Sequence, residues 1–295
     1  MKNKKQAKNN SYYWQKVAVN NHWVYYVVAV FVIGTIFSWA TIATLVSHAF
    51  VSSFYLLAED EAISTGAMAA MTEEPMEENY YRRIDGIETE DGLQDKIPYA
   101  VMIENLSVVR PQSGLQSASV VYESLVEGGA TRFLAVFDPS VEVSTILPVR
   151  SARPYYLEWS SEYGATYAHA GGSPAALTII RQYDDIRDME ALGLQSSYFW
   201  RDSNKFAPHN LVTSSEQMVR GLDDYKMSDQ QATFEPWPFK DDADLADRQD
   251  AKQLRFNFSY GLTYEVKYDY NKELNVYGRI NAGQAHEDAN TGEQI

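Results

Sequence analysis

Between Val17 and Ala58 the chain carries no Lys, Arg, Asp or Glu. No other stretch restricts its fold so strongly. A bilayer-crossing helix needs about 20 mostly apolar residues, and Trp23 to Phe50 alone is longer than that. Trp23, Tyr25 and Tyr26 stand at its start, where amphipathic rings settle at the headgroup level. Lys2, Lys4, Lys5, Lys8 and Lys16 precede the stretch, and Glu59, Asp60 and Glu61 follow it. Lysine excess marks the cytoplasmic side. The sequence therefore predicts a cytoplasmic basic tail over residues 1–22, a single-pass transmembrane anchor over 23–57, and an extracytoplasmic remainder. The alternative is a cleaved signal peptide, whose apolar region runs about 7–15 residues to a small-residue site. The length and the aromatic flank favour the anchor, while Ser64 to Ala70 supplies small residues of the cleavage kind.

Residues 58–96 turn acidic and lose periodicity, with Glu73-Glu74, Glu77-Glu78 and a run from Glu88 to Asp91. High charge with few apolar residues does not offset the entropy of ordering a chain, so a flexible stalk is expected there. From Ile97 the pattern becomes that of a folded domain. Tyr99 to Ile103 is an apolar run suited to a buried strand, and Arg110 to Leu115 is turn chemistry. Ser119 to Glu123, Thr131 to Phe137 and Ser144 to Val149 read as further strands. Ala152 to Tyr163 takes helical spacing with Tyr156, Leu157 and Trp159 on its apolar side, and Gly164 stands where a helix C-cap belongs. Ala165 to His169 returns to strand, and Pro174 to Tyr183 reads as a helix with Pro in its first turn. Thr213-Ser214-Ser215-Glu216 matches a capping box ahead of a helix ending near Tyr225. Interleaved strands and helices indicate an α/β domain over 97–240, a mixed sheet with flanking helices.

Beyond the acidic break Asp241 to Asp244 the period becomes two, in Leu254 to Phe258, Tyr264 to Tyr268 and Leu274 to Tyr277. Residues 241–295 are thus expected to form a small antiparallel β segment with a hairpin around Asn271-Lys272. So few strands seldom stand alone, so the segment either leans on the α/β domain or is a truncated unit.

The net charge of −15 argues against nucleic acid as a partner, since phosphate backbones need a basic footprint. The absence of cysteine excludes disulfides, thiolate metal sites and a cysteine-linked lipid anchor. Within the α/β domain, Arg132, Arg150 and Arg153 fall near strand ends beside turns, where α/β sheets bind ligands. Guanidinium forks suit phosphate oxygens, and Gly171, Gly172 and Ser173 add backbone and hydroxyl donors before a helix. The competing reading pairs the arginines with Glu123, Glu127 or Glu158, and makes the glycines an ordinary tight turn. His169 and His209 are candidates for acid–base work, or with Asp202 for a divalent cation, although their spacing follows no recognised ligand pattern. Each alone is more often a hydrogen-bonded structural histidine. Trp200 to Ser203 places an aromatic face, a cation and a carboxylate in one loop, suited to a sugar ring or to covering the core. No serine nucleophile elbow, Walker loop or dinucleotide fingerprint is present, and no cofactor is indicated.

Several short stretches, in order, resemble the YerB-like family of bacterial lipoproteins. They include Arg110-Pro-Gln-Ser-Gly-Leu115, Val121-Tyr-Glu123, Glu127-Gly-Gly129, Thr131 to Ala135, Pro148 to Arg153, His169 to Pro174, Phe199 to Ser203, Ala207 to Asn210 and Gly283 to Gly292. The resemblance implies an extracytoplasmic, membrane-tethered protein and supplies no activity. The chain departs from those relatives in lacking a cysteine to lipidate, a task the anchor would perform. The order of Thr131-Arg132, Pro148 to Arg150 and Tyr167 to Gly172 is also similar, more weakly, to the LytR-CpsA-Psr ligases. Three classes stay open: a module binding an anionic glycan or lipid-linked phosphate precursor, an envelope-polymer phosphotransferase or hydrolase, and a structural partner-binding protein.

Overall fold

The computed structural model describes residues 79–250 and 252–295, which belong to one compact unit. The expected tail and anchor, and the stalk up to residue 78, lie outside the described residues. Among the described residues no helix is long and apolar enough to cross a membrane.

In chain order the elements are β1 (Tyr80–Tyr81), β2 (Glu88–Thr89), β3 (Tyr99–Glu104), β4 (Val120–Leu125), β5 (Thr131–Phe137), α1 (Pro154–Glu162), β6 (Thr166–His169), α2 (Pro174–Gln182), β7 (Arg187–Glu190), β8 (Trp200–Arg201), β9 (Leu211–Val212), α3 (Ser215–Asp224), β10 (Gln253–Asn257), β11 (Glu265–Asn271), β12 (Val276–Asn281) and β13 (Gln284–Ala285). The central sheet runs β4-β5-β3-β6-β7. Its first pairs are antiparallel, and β3, β6 and β7 are parallel. The expected mixed α/β architecture is thus present.

The central position of β3 follows from its sequence: every residue is buried, as an apolar run covered on both faces requires. Alternate side chains feed opposite cores. Tyr99, Val101 and Ile103 pack with Phe133, Phe137 and Met218, while Ala100 and Met102 pack with Leu134, Tyr156 and Ala176. Tyr99 opposes Phe137 in the register, and their rings stack at 5.2 Å, a cross-strand pair that pins β3 to β5. Helices α1 and α2 cover the second core and α3 the first. Pro opens α1 and α2, where the missing N–H costs nothing.

Three expectations need correction. Residues 79–96 are not a flexible stalk. They form the β1–β2 hairpin, Ile84 is buried against the α1 side, and Arg83 bonds Asp95 at 2.7 Å, so the acidic residues of this stretch sit on a packed scaffold. Ser144 to Val149 forms isolated bridges to Thr213, Ser113 and Ile103 rather than a regular strand. The cap of α3 is Ser214, whose hydroxyl oxygen accepts from Gln217 N–H at 3.3 Å, one residue later than the box suggests. Gln217 takes the position assigned to Glu216.

The C-terminal sheet runs β10-β11-β12-β13, all antiparallel. It does lean on the α/β domain. Asp288 accepts from the backbone N–H groups of Gly114 and Gln116 at 3.1 and 3.0 Å, and Ala289 N–H donates to Gln112 O at 2.7 Å.

Candidate functional site

Strands β3 and β6 pair only over Tyr99–Val101 and Thr166–Ala168. Past that point they part, and residues 148–150 fill the gap. Glu104 N–H donates to Pro148 O at 3.0 Å, and Arg150 N–H to Met102 O at 2.9 Å. The other edge of this insert bonds the turn after β6, through Ala170 N–H to Arg150 O (3.0 Å), Ala152 N–H to Gly171 O (2.9 Å) and Ser173 N–H to Ala152 O (3.2 Å). The two stretches singled out in the sequence therefore lie side by side, beyond the carboxyl ends of the parallel strands.

Arg132 enters this end from β5, opposite Glu104 in the register. Its Nη1 donates to Ser151 O at 2.8 Å, and no carboxylate lies within salt-bridge distance among the described residues. Burial first, then the nearby guanidinium groups of Arg153 and Arg150, holds its pKa below the usual arginine value. Arg150 pairs through Nη2 with Glu104 Oε1 at 2.8 Å, and its buried Nε has no partner among the described residues. Arg153 forms a fork on Glu127, at 2.6 and 2.5 Å. The structure thus gathers all three arginines, and pairs two of them with acids. Glu127 is the partner expected from sequence, Glu104 is not, and Glu123 pairs elsewhere.

Glu127 and Glu104 differ sharply. Glu127 stands 66 % exposed on a Gly128-Gly129 turn, and hydrogen bonding to Arg153 holds its carboxyl down to about 2. Glu104 is buried and shared: Oε1 takes Arg150, and Oε2 accepts from His209 Nδ1 at 2.7 Å. That leaves His209 Nε2 for a further partner on a side chain 28 % exposed.

The turn residues have packing reasons of their own. Gly171 has φ +63, a Cβ on Gly172 would meet Leu177 at 3.0 Å, and Ser173 caps α2 by accepting from Ala176 N–H at 3.2 Å. His169 is fully buried, with Nδ1 on Gly171 O and Nε2 on Asp188 Oδ1, both at 2.7 Å. The ring thus ties the turn to β7. Asp202 accepts from Asn204 N–H at 2.8 Å. His169, His209 and Asp202 therefore have separate partners, and no cluster of metal-ligating side chains occurs among the described residues. Trp200 and Arg201 form β8, and Arg201 bonds Asn210 Oδ1 at 2.7 Å.

A second polar network lies on the opposite face of the same sheet end, and sequence reasoning missed it. Glu123 Oε1 accepts from Asn105 Nδ2 (3.0 Å) and Thr131 Oγ1 (2.6 Å), and Glu123 Oε2 from Arg279 Nη2 (2.6 Å). Gln112 Nε2 donates to Glu104 O and Asn105 Oδ1, each at 2.9 Å, and Gln112 Oε1 accepts from His286 Nε2 at 2.8 Å. These partners come from distant segments, so no local spacing announces them. The one available signal is polar residues inside strand-like runs.

Since Gln112 Oε1 takes the Nε2 proton and Arg279 Nη1 faces Nδ1, His286 is held neutral. Burial, then the charges of Arg279 and Arg110, pushes its pKa down to about 3. Below the ordinary value near 6.5 the unfolded chain binds a proton that the folded one refuses. The stability due to this group is therefore complete above pH 6.5 and is lost as pH falls toward 3, at up to about 1.4 kcal/mol per unit. Denaturant midpoints between pH 6.5 and 5, above most carboxylate titration, should fall in the native chain and stay flatter in His286→Gln. Equal slopes in both chains would contradict this.

Residues 84–228 match the family model described as "Protein of unknown function (DUF3048) N-terminal domain". The chain is 32% identical over 213 residues to the protein named "Putative lipoprotein YerB" of Bacillus subtilis (strain 168). The match covers 72% of this chain and 63% of that protein's length. The crystal structure of the Bacillus subtilis YerB protein superimposes with a TM-score of 0.64 at 30% identity, over 73% of this chain and 71% of that one.

Proposed function

The chain belongs to the YerB-like family, and from that premise we propose that it is a membrane-associated extracytoplasmic protein that binds an anionic group of a cell-envelope component through Arg132, Arg150 and Arg153. The relative's name as a lipoprotein supports the location. This chain has no cysteine to lipidate, so the apolar stretch over 23–57 would tether it instead. The ligand would be a phosphate- or carboxylate-bearing glycan or a lipid-linked precursor.

One observation carries the binding reading: Arg132 is partly buried beside two other guanidinium groups and has no acid of its own among the described residues. Burial and the two neighbouring guanidinium groups disfavour the charge on Arg132, and Glu104 and Glu127, each committed to another arginine, offset this only in part, so a further anion would stabilise the cluster. The fork of Arg153 already grips a carboxylate, that of exposed Glu127, and a guest oxyanion would be held in the same way. Inorganic pyrophosphate titrated into the full chain by calorimetry should bind saturably. Arg132→Gln should weaken it roughly 10-fold or more, the scale of a charge-assisted hydrogen bond, and Glu127→Gln should tighten it by freeing Arg153. Heats unchanged by Arg132→Gln would sink the proposal.

A second reading rests on His209. A buried carboxylate on Nδ1 with Nε2 left outward is the arrangement that orients a histidine as general base. Turnover of a pyrophosphate-linked substrate that disappears in His209→Gln, with pyrophosphate binding intact, would favour a phosphotransferase or hydrolase over a binding module.

A further inference from the structure

A cavity of about 630 Å³ opens between the β1–β2 hairpin and the extended segment Pro236–Asp241. That is the size of a small-ligand site. The aromatic rings of Tyr81, Trp237 and Phe239 line it, at 53%, 50% and 46% exposure. Phe239 closes one end by lying over Gly86, where a Cβ would come within 2.4 Å of the ring.

The polar lining identifies the guest. Arg82 is held bidentately by Asp85 at 2.9 and 2.8 Å, Arg83 bonds Asp95 at 2.7 Å and Phe234 O at 3.0 Å, and Lys240 stands beside Asp241. Both guanidinium groups at this mouth are matched by carboxylates, and exposed Lys240 forms no ion pair among the described residues. An anion held by either guanidinium fork would have to displace an aspartate, which leaves it only the single exposed charge of Lys240, and a wholly apolar guest would strip water from the ion pairs. A neutral ring with hydroxyls on its edge and C–H groups on its faces meets neither cost. Its faces lie on the aromatic rings, and its hydroxyls find fixed donors in the guanidinium forks and acceptors in the carboxylates. We propose that this cavity is a binding site for uncharged sugar rings of a glycan, separate from the arginine cluster and independent of it.

The test uses the full chain in detergent micelles, with chitotetraose and cellotetraose as neutral probes and tetragalacturonate as a charged one, each followed by calorimetry. At least one neutral tetrasaccharide should bind saturably. Trp237→Ala and Tyr81→Ala should each weaken that binding by about 10-fold, in line with the loss of a stacking surface, while Arg132→Gln leaves it unchanged. Gly86→Ala, which forces Phe239 aside, should also weaken it without touching either stacking ring. Failure of both neutral sugars, a response to the charged sugar alone, or binding indifferent to Trp237→Ala and Tyr81→Ala would overturn the site. Sugar binding lost in Arg132→Gln but retained in Trp237→Ala would overturn it too, and would move the glycan to the arginine cluster.

Discussion

Replacing Glu104 by alanine should cost about 3–5 kcal/mol of folding stability, the usual loss when one member of a buried ion pair is removed. Two groups depend on this carboxylate, Arg150 at 2.8 Å and His209 at 2.7 Å, and its side chain is 3% exposed. Without it, Arg150 stands beside Arg132 and Arg153 with only Glu127 as local counter-charge. Arg150 is 20% exposed, so water recovers part of the penalty and the lower end of the range is expected. The same variant reports on binding. If the cluster takes an anion, millimolar pyrophosphate should raise the denaturation midpoint of Glu104→Ala more than that of the native chain, because a ligand of the folded state stabilises by mass action. A shift below about 1 kcal/mol, the range of exposed pairs, would show that Glu104 is not the keystone assigned to it.

Arg279→Ala should be comparably damaging on the other face of the sheet. Its guanidinium bonds Glu123 at 2.6 Å and lies over the rings of Phe133 and Tyr268, at 5.3 and 6.0 Å. Both members of the pair are buried, at 6% and 10% side-chain exposure. Removing the arginine leaves an uncompensated carboxylate among Asn105 and Thr131, again about 3–5 kcal/mol. Because one tie between β12 and β4 is thereby removed, the C-terminal sheet of Arg279→Ala should become protease-sensitive at lower denaturant than the α/β domain, whereas in the native chain the two unfold together. Glu123→Gln with Arg279→Met, which removes both charges and keeps volume, should be far milder than either single change. Separate unfolding of residues 253–295 in the native chain would contradict the single cooperative unit.

How much of this was legible beforehand depended on the range of the contacts. The runs Tyr99–Ile103 and Thr131–Phe137 announced strands because their burial is written in consecutive residues. Strand β7 (Arg187–Glu190) escaped because its polar composition is made buriable only by neighbouring β6. The acidic segment from residue 79 misled for a related reason. Its charges satisfy one another locally, Arg82 with Asp85 and Arg83 with Asp95, so composition suggested disorder where pairing gives structure. At the arginine cluster the positions near strand ends and turns were readable, and Glu127 was among the acids expected. Glu104 was not, since it closes an apolar run and its partners come from positions 150 and 209. The network through Gln112, Glu123, Arg279 and His286 joins residues more than 150 positions apart, and no pattern within a window reveals it.

The most direct measurement is the arginine side-chain nitrogen spectrum of the full chain, recorded while pyrophosphate is added. The signals of Arg132, Arg150 and Arg153 should move together and saturate at one common concentration, with those of Arg82, Arg83 and Arg279 unmoved. If those three signals stay fixed while pyrophosphate shifts only scattered surface arginines, the sheet end is a set of internal ion pairs and the anion site does not exist.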